Sequence, residues 1–219
     1  MSQEIIELLG KGIVETLYMV LVSSSVSYVI GIPLGVLVFI TDVNGICRNR
    51  GINLVIGGII NLVRSIPFLI LLVAILPFTR LVVGTTIGST ATVVPLVVAA
   101  TPYVARMVES SLKEVDTGVV EAAHAMGSSV FQIIYKVLLP EAKPSLLVGA
   151  TISLATILGY SAMAGFVGGG GLGAIATNYG YYRYDSGIML ITVILLVVIV
   201  QIFQEAGLWL VNRVDKRIK

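Results

Sequence analysis

Charge, cysteine and histidine are all scarce in this sequence of 219 residues. Only 12% of the residues are charged and 57% are hydrophobic, whereas a soluble globular domain carries about 25% charged residues. The single cysteine, Cys47, excludes a framework of intrachain disulfides. One histidine and one cysteine are also too few for the usual zinc sites. The composition predicts an all-α integral membrane protein without a metal site, and the net charge of +2 gives no reason to expect nucleic acid as a partner.

The chain has long apolar runs instead. About 20 apolar residues in a helix cross a hydrocarbon core of about 30 Å. Five runs are long enough, and we expect them to form a single transmembrane domain over residues 1–219. The first run is expected to be retained, because the residues before it lack the basic region of a cleavable signal peptide. The predicted spans are residues 13–40, 52–78, 86–105, 145–167 and 187–211.

The basic residues predict the orientation of these five spans. With the N-terminus outside, 10 of the 14 lysines and arginines fall on the cytoplasmic side, 3 fall outside and 1, Arg64, lies within a span. Cytoplasmic loops carry the excess of basic residues. The chain is therefore predicted to run N-out and C-in, and its longest loop, residues 106–144, is predicted to face the cytoplasm.

This loop begins with the pattern of a short helix. Asp116 or Thr117 is a suitable N-cap, and Gly127 is suited to end the helix. Three alanines give this helix small side chains, so that another protein surface can approach its backbone closely. These alanines are Ala122, Ala123 and Ala125.

A second helix is predicted to follow the glycine. Ser129 and Gln132 have the spacing of a capping box, and Pro140 is expected to close this helix. Apolar residues at steps of three, four or seven predict one apolar stripe along both helices. The stripe consists of Val119, Met126, Val130, Ile133 and Val137.

The residues allow three interpretations of the loop. It folds back on its own bundle, it lies on the membrane surface, or it inserts as a docking helix into a groove of a soluble partner. A surface helix favours Lys and Arg on its polar face, whereas Glu121, His124 and Gln132 occupy that face here. The small residues and the mixed face suit a docking helix best.

The stretch "EAAHAMGSSVFQIIYKVLLP" resembles the EAA motif of the permeases of bacterial ABC importers. The residues that match this motif in type and spacing are Glu121, Ala122, Ala123, Gly127, Leu139 and Pro140. Val137 replaces the usual isoleucine. The resemblance implies a type I importer permease in which this segment is the coupling helix that seats in the ATPase subunit.

Two further stretches, residues 61–88 and 159–184, resemble the methionine-importing members of this family. The resemblance implies a homodimer in the bacterial inner membrane, with two ATPase subunits below it and a substrate-binding lipoprotein that delivers methionine from outside. ATP and magnesium would bind to the ATPase, so this chain would carry no cofactor and no catalytic residue. The alternatives are a permease for another small amino acid and an ATP-independent carrier or channel; a paralogous heterodimer also stays open.

Three residues are candidates for the translocation pathway. Arg64 lies in an apolar run, where a central arginine costs about 2.5–3.5 kcal/mol; it either bonds a carbonyl freed by Pro67 or faces the path. Met163 stands among small residues that include Ser161, and its flexible side chain is suited either to packing or to gating a narrow path.

The glycine run "FVGGGGLG", which follows a hydrophobic helix and has no lysine, predicts a turn at the outer face, or a mobile outer gate, and not a phosphate loop.

An enzyme within the membrane is disfavoured. The stretch "GYSAMAG" fails the G-x-S-x-G pattern, because Met163 stands where a glycine is needed. The only histidine, His124, is predicted in the cytoplasm and is out of reach of an intramembrane serine. A proton-coupled carrier usually has intramembrane acidic or histidine relays and internal repeats, and this sequence shows neither clearly.

Overall fold

A computed structural model describes residues 3–214 of the protein, and every regular element in that range is helical. The basic residues 216, 217 and 219, which entered the orientation argument, lie outside the described residues. The α-helices are α1 (Gln3–Thr41), α2 (Arg50–Ser65), α3 (Phe68–Ala74), α4 (Leu76–Val83), α5 (Ser89–Lys113), α6 (Thr117–Ala125), α7 (Val130–Ile133), α8 (Leu139–Glu141), α9 (Lys143–Ala164), α10 (Gly171–Ile175) and α11 (Ser186–Val214). A 3₁₀ turn occupies Gly165–Val167, and π-helical turns occupy Ile134–Leu138 and Ala176–Tyr181.

Four helical stretches in the described range are long and apolar enough to cross a membrane. They are Gln3–Thr41, Ser89–Lys113, Lys143–Tyr181 and Ser186–Val214. The second predicted span is a bent pair, α2 and α3, which makes five spans when it is counted as one. The break falls at Pro67, whose backbone is extended with a ψ of 134°, because proline disfavours helical geometry in the residue before it and cannot donate to the ladder. The predicted all-α membrane fold is confirmed.

The last helix is the most apolar of these elements. The most apolar 18-residue stretch of α11 has a mean hydropathy of 2.8, and only 17% of that stretch is buried inside the structure. In water, a helix that is hydrophobic on all sides is normally buried, because a large exposed apolar surface is unfavourable there. The exposed face of α11 therefore requires lipid or another protein around it.

The described chain divides into two compact units, and the first takes in residues up to 27 together with 66–100 and 153–205. Its core is filled by large apolar side chains that are almost completely buried, namely Met19, Leu96, Ile157 and Leu172. The rings of Phe68 and Tyr160 stack with their centroids 4.5 Å apart, an arrangement that adds to the free energy of burial.

The glycine run makes the predicted turn within this first unit. Gly168 and Gly171 have φ values of 81° and 79°, which side chains with a Cβ rarely adopt. Two side chains of α1 hold the turn from 156 residues away: the Glu15 carboxylate accepts a hydrogen bond from the Gly171 N–H at 2.8 Å, and the Thr16 hydroxyl accepts one from the Leu172 N–H at 2.9 Å. These bonds satisfy the first N–H groups of α10, which has no side-chain cap of its own.

The second unit comprises residues 28–65, 101–152 and the described residues from 206 onward. Two glycines one helical turn apart let the backbones of α1 and α5 approach closely. A Cβ at Gly31 would lie 2.7 Å from the Val104 Cγ1, and a Cβ at Gly35 would lie 2.5 Å from the Ala105 carbonyl oxygen. This is the small-xxx-small packing of membrane helices, and α1 continues through Pro33 between the two glycines.

The core of the second unit joins the end of α5 to the segment that follows it. The buried side chains are Val104, Val108, Leu112 and Val115 from α5 and its end, with Ala123, Ile133 and Leu138 from the following helices. The EAA stretch is thus fixed to the last two turns of α5 through apolar contacts.

The N-out, C-in orientation gives a direct test. Cys47 is exposed in the turn after α1, so a membrane-impermeant thiol reagent should label it only in inverted vesicles. A cysteine at exposed Asn178 in a Cys47→Ser background should be labelled only from outside. Labelling of either position from the opposite side would contradict the predicted orientation.

Candidate functional site

Residues 117–141, which we call the EAA segment, begin with the predicted helix. Asp116 is the N-cap of α6, and its carboxylate accepts a hydrogen bond from the Gly118 N–H at 2.6 Å. Of the two predicted caps the structure uses Asp116, which leaves Thr117 as the first helical residue. The negative charge of Asp116 also stabilises the helix, because it lies next to the positive end of the helix dipole. The start of α6 is therefore fixed by its own sequence.

The other end of α6 is closed by Gly127, as predicted. Gly127 has a φ of 81°; its N–H donates to the His124 carbonyl at 2.9 Å, and the Ser128 N–H donates to the Ala123 carbonyl at 3.1 Å. These two bonds form a Schellman motif, which requires a left-handed residue at the position of Gly127. Within residues 3–214, no heavy atom beyond the glycine and its two chain neighbours lies within 4 Å of an added Cβ. The glycine is therefore required by its backbone conformation and not by lack of space.

The second helix starts as predicted and ends later than predicted. The capping box is complete, because the Ser129 N–H donates to the Gln132 Oε1 at 2.8 Å and the Gln132 N–H donates to the Ser129 hydroxyl at 3.4 Å. Pro140, however, does not close the helix, which continues to Glu141. The π-helical turn Ile134–Leu138 comes directly before this position and widens the helix where the proline ring would clash with a carbonyl one turn earlier.

The predicted apolar stripe is wrong in α6 and holds only in the helix after Gly127. Val119 and Met126 are 46% and 79% exposed, whereas Ile133 is buried and Val137 is half-buried against the same core. The helical period does not continue across Gly127, because a left-handed residue reverses the direction of the chain between two separate helices. Periodicity must therefore be read separately on each side of the break.

The EAA motif residues lie mostly on the exposed face of the segment. Glu121 and Ala122 are exposed, Ala123 is the one buried residue of α6, Gly127 and Pro140 are exposed, and Leu139 is half-buried. Because α6 contacts the core only through Ala123 and the half-buried Val120, most of its remaining surface is free. A short helix with rigid ends and small exposed side chains can fit into a groove of another protein.

Two exposed aromatic side chains extend this surface, and the sequence argument missed them. Phe131 and Tyr135 are 74% and 66% exposed, and their rings stack at 6.3 Å with 4° between their planes. Their i, i+4 spacing on a helix was the available signal. Large exposed aromatics next to the EAA motif indicate a surface that is covered in the working protein.

The three candidate pathway residues have different environments. Met163 is 49% exposed and lines a cavity of about 260 Å³ with Phe166, Tyr181 and Met189. Ser161 is 1% exposed, and its hydroxyl donates to the Leu158 carbonyl at 2.7 Å. None of the described residues that line the cavity is charged, so Met163 borders a largely apolar space. The Ser161 hydroxyl is bonded within its own helix.

Arg64 lies at the end of α2, in the last turn before the break at Pro67. Its side chain is exposed, and it makes no hydrogen bond or ion pair with any residue in the described range 3–214. The predicted bond from Arg64 to a carbonyl freed by the proline is therefore not formed. Its predicted place at a pathway or between two copies stays a prediction.

A chain of alternating charges at the end of α5 was also missed. Arg106 contacts Glu109, the Glu109 carboxylate accepts from the Lys113 ammonium at 2.7 Å, and Lys113 lies 3.3 Å from the Asp42 carboxylate. A hydrogen bond from the Val43 N–H, and then Lys113, hold the pKa of Asp42 below its ordinary value. The i, i+3 and i, i+4 spacings around Glu109 were the local signal.

The comparisons with known proteins decide the family. A profile of the family described as "binding-protein-dependent transport system inner membrane component" matches residues 31–219. The chain belongs to this family. The "probable D-methionine transport system permease protein MetI" of Vibrio cholerae is 54% identical over 203 residues, which cover 93% of this chain and 90% of that protein. The "D-methionine transport system permease protein MetI" of Escherichia coli K12 is 51% identical over 165 residues, 75% and 76% of the two chains.

Solved structures agree with this family assignment. A chain of the MetNI methionine ABC transporter in an inward-facing conformation has a TM-score of 0.97 and 49% identity, covering 99% of this chain and all of that one. A chain of an amino acid ABC transporter with histidines, at 21% identity and a TM-score of 0.79, shares the fold over 96% of this chain and 95% of that one. The chain is a multi-pass membrane permease of the binding-protein-dependent transport family. Within residues 3–214, no three His, Cys, Asp or Glu side chains are placed to hold a metal ion.

Proposed function

We propose that this chain is the permease subunit of an ATP-driven methionine importer in the bacterial inner membrane. Two copies form the pathway through the lipid, two ATPase subunits bind ATP and magnesium on the cytoplasmic side, and a substrate-binding lipoprotein delivers methionine from outside. The names of relatives at 54% and 51% identity support methionine as the substrate. The match to a chain of the MetNI transporter supports the ATPase partner and the pairing of two copies.

The observation that carries the proposal is the exposed face of α6. The helix has a cap at each end, one buried side chain and exposed small residues. This arrangement suits insertion into a groove of a soluble subunit, because small side chains allow close approach and the caps satisfy the backbone without a partner. The residues proposed to couple this chain to the ATPase are Glu121, Ala122, Ala123, Gly127, Leu139 and Pro140. Ala123 does so from the buried side, by anchoring the helix to the permease core.

The same helix has a direct mechanical connection to the membrane part. Ala123 is buried against the core that contains Leu112 and Val115, so a displacement of α6 acts on the end of α5. Packed interiors transmit displacement because they are dense and compress little. Closure of the ATPase subunits would thus move α5, and with it the pathway.

The alternatives differ in what drives the transport. A permease for another small amino acid would keep the ATP dependence and change the substrate, whereas an ATP-independent carrier or channel would transport without any partner. The exposed EAA segment, with Phe131 and Tyr135 uncovered in the single chain, favours the ATP-driven proposals because a carrier has no use for such a surface.

Reconstitution tests the proposal. The permease, its ATPase and its binding protein in vesicles should take up labelled methionine only with ATP on the ATPase side. Uptake without ATP would favour a carrier. ATP-driven uptake of another amino acid with no uptake of methionine would favour the other permease.

Gly127 tests the coupling role of α6. Gly127→Val should lower ATP-driven uptake at least about tenfold, because a β-branched residue in the left-handed conformation costs about 1–2 kcal/mol and would release the Schellman end. Gly127→Asn is the matched control, since asparagine tolerates this conformation, and it should retain most of the uptake. Full uptake by Gly127→Val, with the ATPase still bound, would contradict the docking role.

Met163 tests the proposed gate. If Met163 narrows the path between two copies, Met163→Ala should raise the passage of methionine without ATP and Met163→Trp should block uptake in an assembled complex. Ile152→Ala is the control, because Ile152 is 46% exposed on the same helix α9. Cysteines at position 163 should crosslink two permeases in at least one nucleotide state. Absence of crosslinking in every state, with only a lower melting temperature for Met163→Ala, would remove Met163 from the pathway.

A further inference from the structure

We propose that Glu109 is a positioning residue for energy coupling, which holds α5 in register with α1 and α2 so that movement of the EAA segment reaches all three helices. This inference rests on the proposed function of the EAA segment. It assigns a role to the four-charge chain Asp42–Lys113–Glu109–Arg106, which we call the charge clamp.

The burial of the clamp is graded from solvent to interior. The side chain of Lys113 is 50% exposed, that of Asp42 is 36% exposed, that of Arg106 is 24% exposed and that of Glu109 is only 7% exposed. Burying a charged carboxylate is costly unless hydrogen-bonding partners replace the water around it. Glu109 has one cation on either side, Arg106 and Lys113, so each of its oxygens is occupied by a charged donor.

The charge clamp connects three helices, α1, α2 and α5. Arg106, Glu109 and Lys113 all lie on α5. Asp42 follows the last residue of α1 and pairs with Lys113 at 3.3 Å. Arg106 extends the connection to α2, because its Nη2 donates to the Gly57 carbonyl at 3.2 Å and to the Asn61 Oδ1 at 2.8 Å.

The guanidinium of Arg106 is suited to this position for geometric reasons. One nitrogen binds Glu109, while the other binds a backbone oxygen and a side-chain oxygen of α2. A planar guanidinium directs several N–H groups in fixed directions, whereas a lysine ammonium has no such geometry. The two acceptors on α2 therefore fix its position along and its rotation against α5, while Glu109 holds the guanidinium from α5 itself.

Apolar contacts do not fix the register of α2 to the same degree, whereas α1 and α5 also pack closely at Gly31 and Gly35. Among the described residues, the cluster that α2 shares with α1 and α5 has only three buried members, Val38, Ile60 and Ala105. Apolar burial is non-directional, so a small cluster of this kind permits sliding by part of a turn. A charge chain with short directional contacts supplies the register that the apolar cluster lacks.

The charge clamp lies beside the attachment point of the EAA segment. Lys113 ends α5, and its neighbours Leu112 and Val115 are buried with Ala123, Ile133 and Leu138. The last turns of α5 therefore contact the EAA segment through apolar side chains and contact α1 and α2 through charged ones. A displacement of α6 reaches α2 through α5 if α5 and α2 move together.

Stability alone is a poor explanation for a buried charge chain. Replacing buried ion pairs with apolar side chains of similar volume is often neutral or stabilising, whereas their best-attested use is to fix one arrangement among several. The charge clamp is expected to affect transport per ATP more than it affects assembly.

The test compares Glu109→Gln with Glu114→Gln in vesicles that contain the permease, its ATPase and its binding protein. Glu114 is an exposed carboxylate just beyond the end of α5 and is outside the clamp, so it is a matched control. Glu109→Gln should bind the ATPase and hydrolyse ATP, and its methionine uptake per ATP should fall about tenfold, a size typical of coupling between sites. Glu114→Gln should keep the wild-type ratio.

Two milder variants cover the case in which Glu109→Gln does not assemble. Asn61→Ala removes an acceptor of Arg106, and Lys113→Gln removes the pairs with Asp42 and Glu109. Both positions are solvent-exposed. Each should lower uptake per ATP by about fivefold. Lys113→Arg, which keeps the charge, should have the wild-type uptake per ATP.

Unchanged uptake per ATP in Glu109→Gln, or in both milder variants if that protein does not assemble, would overturn the assignment. A loss of uptake that only follows the amount of assembled complex would overturn it as well. Failure of the wild-type complex to transport methionine with ATP would instead count against the proposed function, so the two failures are distinguishable.

Discussion

The docking surface depends on how the backbone of α6 is satisfied at its two ends. A helix of nine residues leaves a large share of its N–H and C=O groups without intrahelical partners, and it is too short to be stable by propensity alone. Asp116 satisfies the first turn, and the left-handed Gly127 closes the last one. Because both ends are satisfied locally, α6 needs only the buried Ala123 and the half-buried Val120 as anchors and can leave its other faces open.

An exposed helix of this kind needs a firm base if it is to transmit force. The base is the end of α5, where the apolar core of the second unit and the charge clamp occupy different sides of the same turns. Close contact of α1 with α5 at Gly31 and Gly35 adds a backbone-to-backbone approach that cannot be compressed further. The small exposed side chains of α6 suit insertion into a groove. Its satisfied ends and the close packing of α5 suit a helix that moves without deforming.

The features that depend on neighbours in sequence could be predicted. The N-cap, the glycine end, the capping box and the break at Pro67 follow from local backbone chemistry, and the membrane fold follows from the length of the apolar runs. The stripe through Val119 and Met126 failed because a period was carried across Gly127, and Pro140 was misjudged because a π-helical turn accommodates it.

The contacts between distant residues could not be predicted from one sequence. Glu15 and Thr16 bind the glycine turn from 156 positions away, and Arg106 reaches Gly57 and Asn61 from 49 and 45 positions away. Arg106 was counted as a loop residue because apolar length alone ended its span at residue 105, whereas α5 continues to Lys113.

The most direct test of the docking account is a proximity measurement on α6 itself. Cysteines are placed one at a time at Ala125, which is exposed, and at Ala123, which is 4% exposed, in a Cys47→Ser background, and the intact complex is treated with a short thiol-to-amine crosslinker. The account predicts an adduct between the permease and the ATPase subunit from position 125 and none from position 123. An intact complex that gives no adduct from position 125 in any nucleotide state, or gives one from position 123 alone, would contradict it.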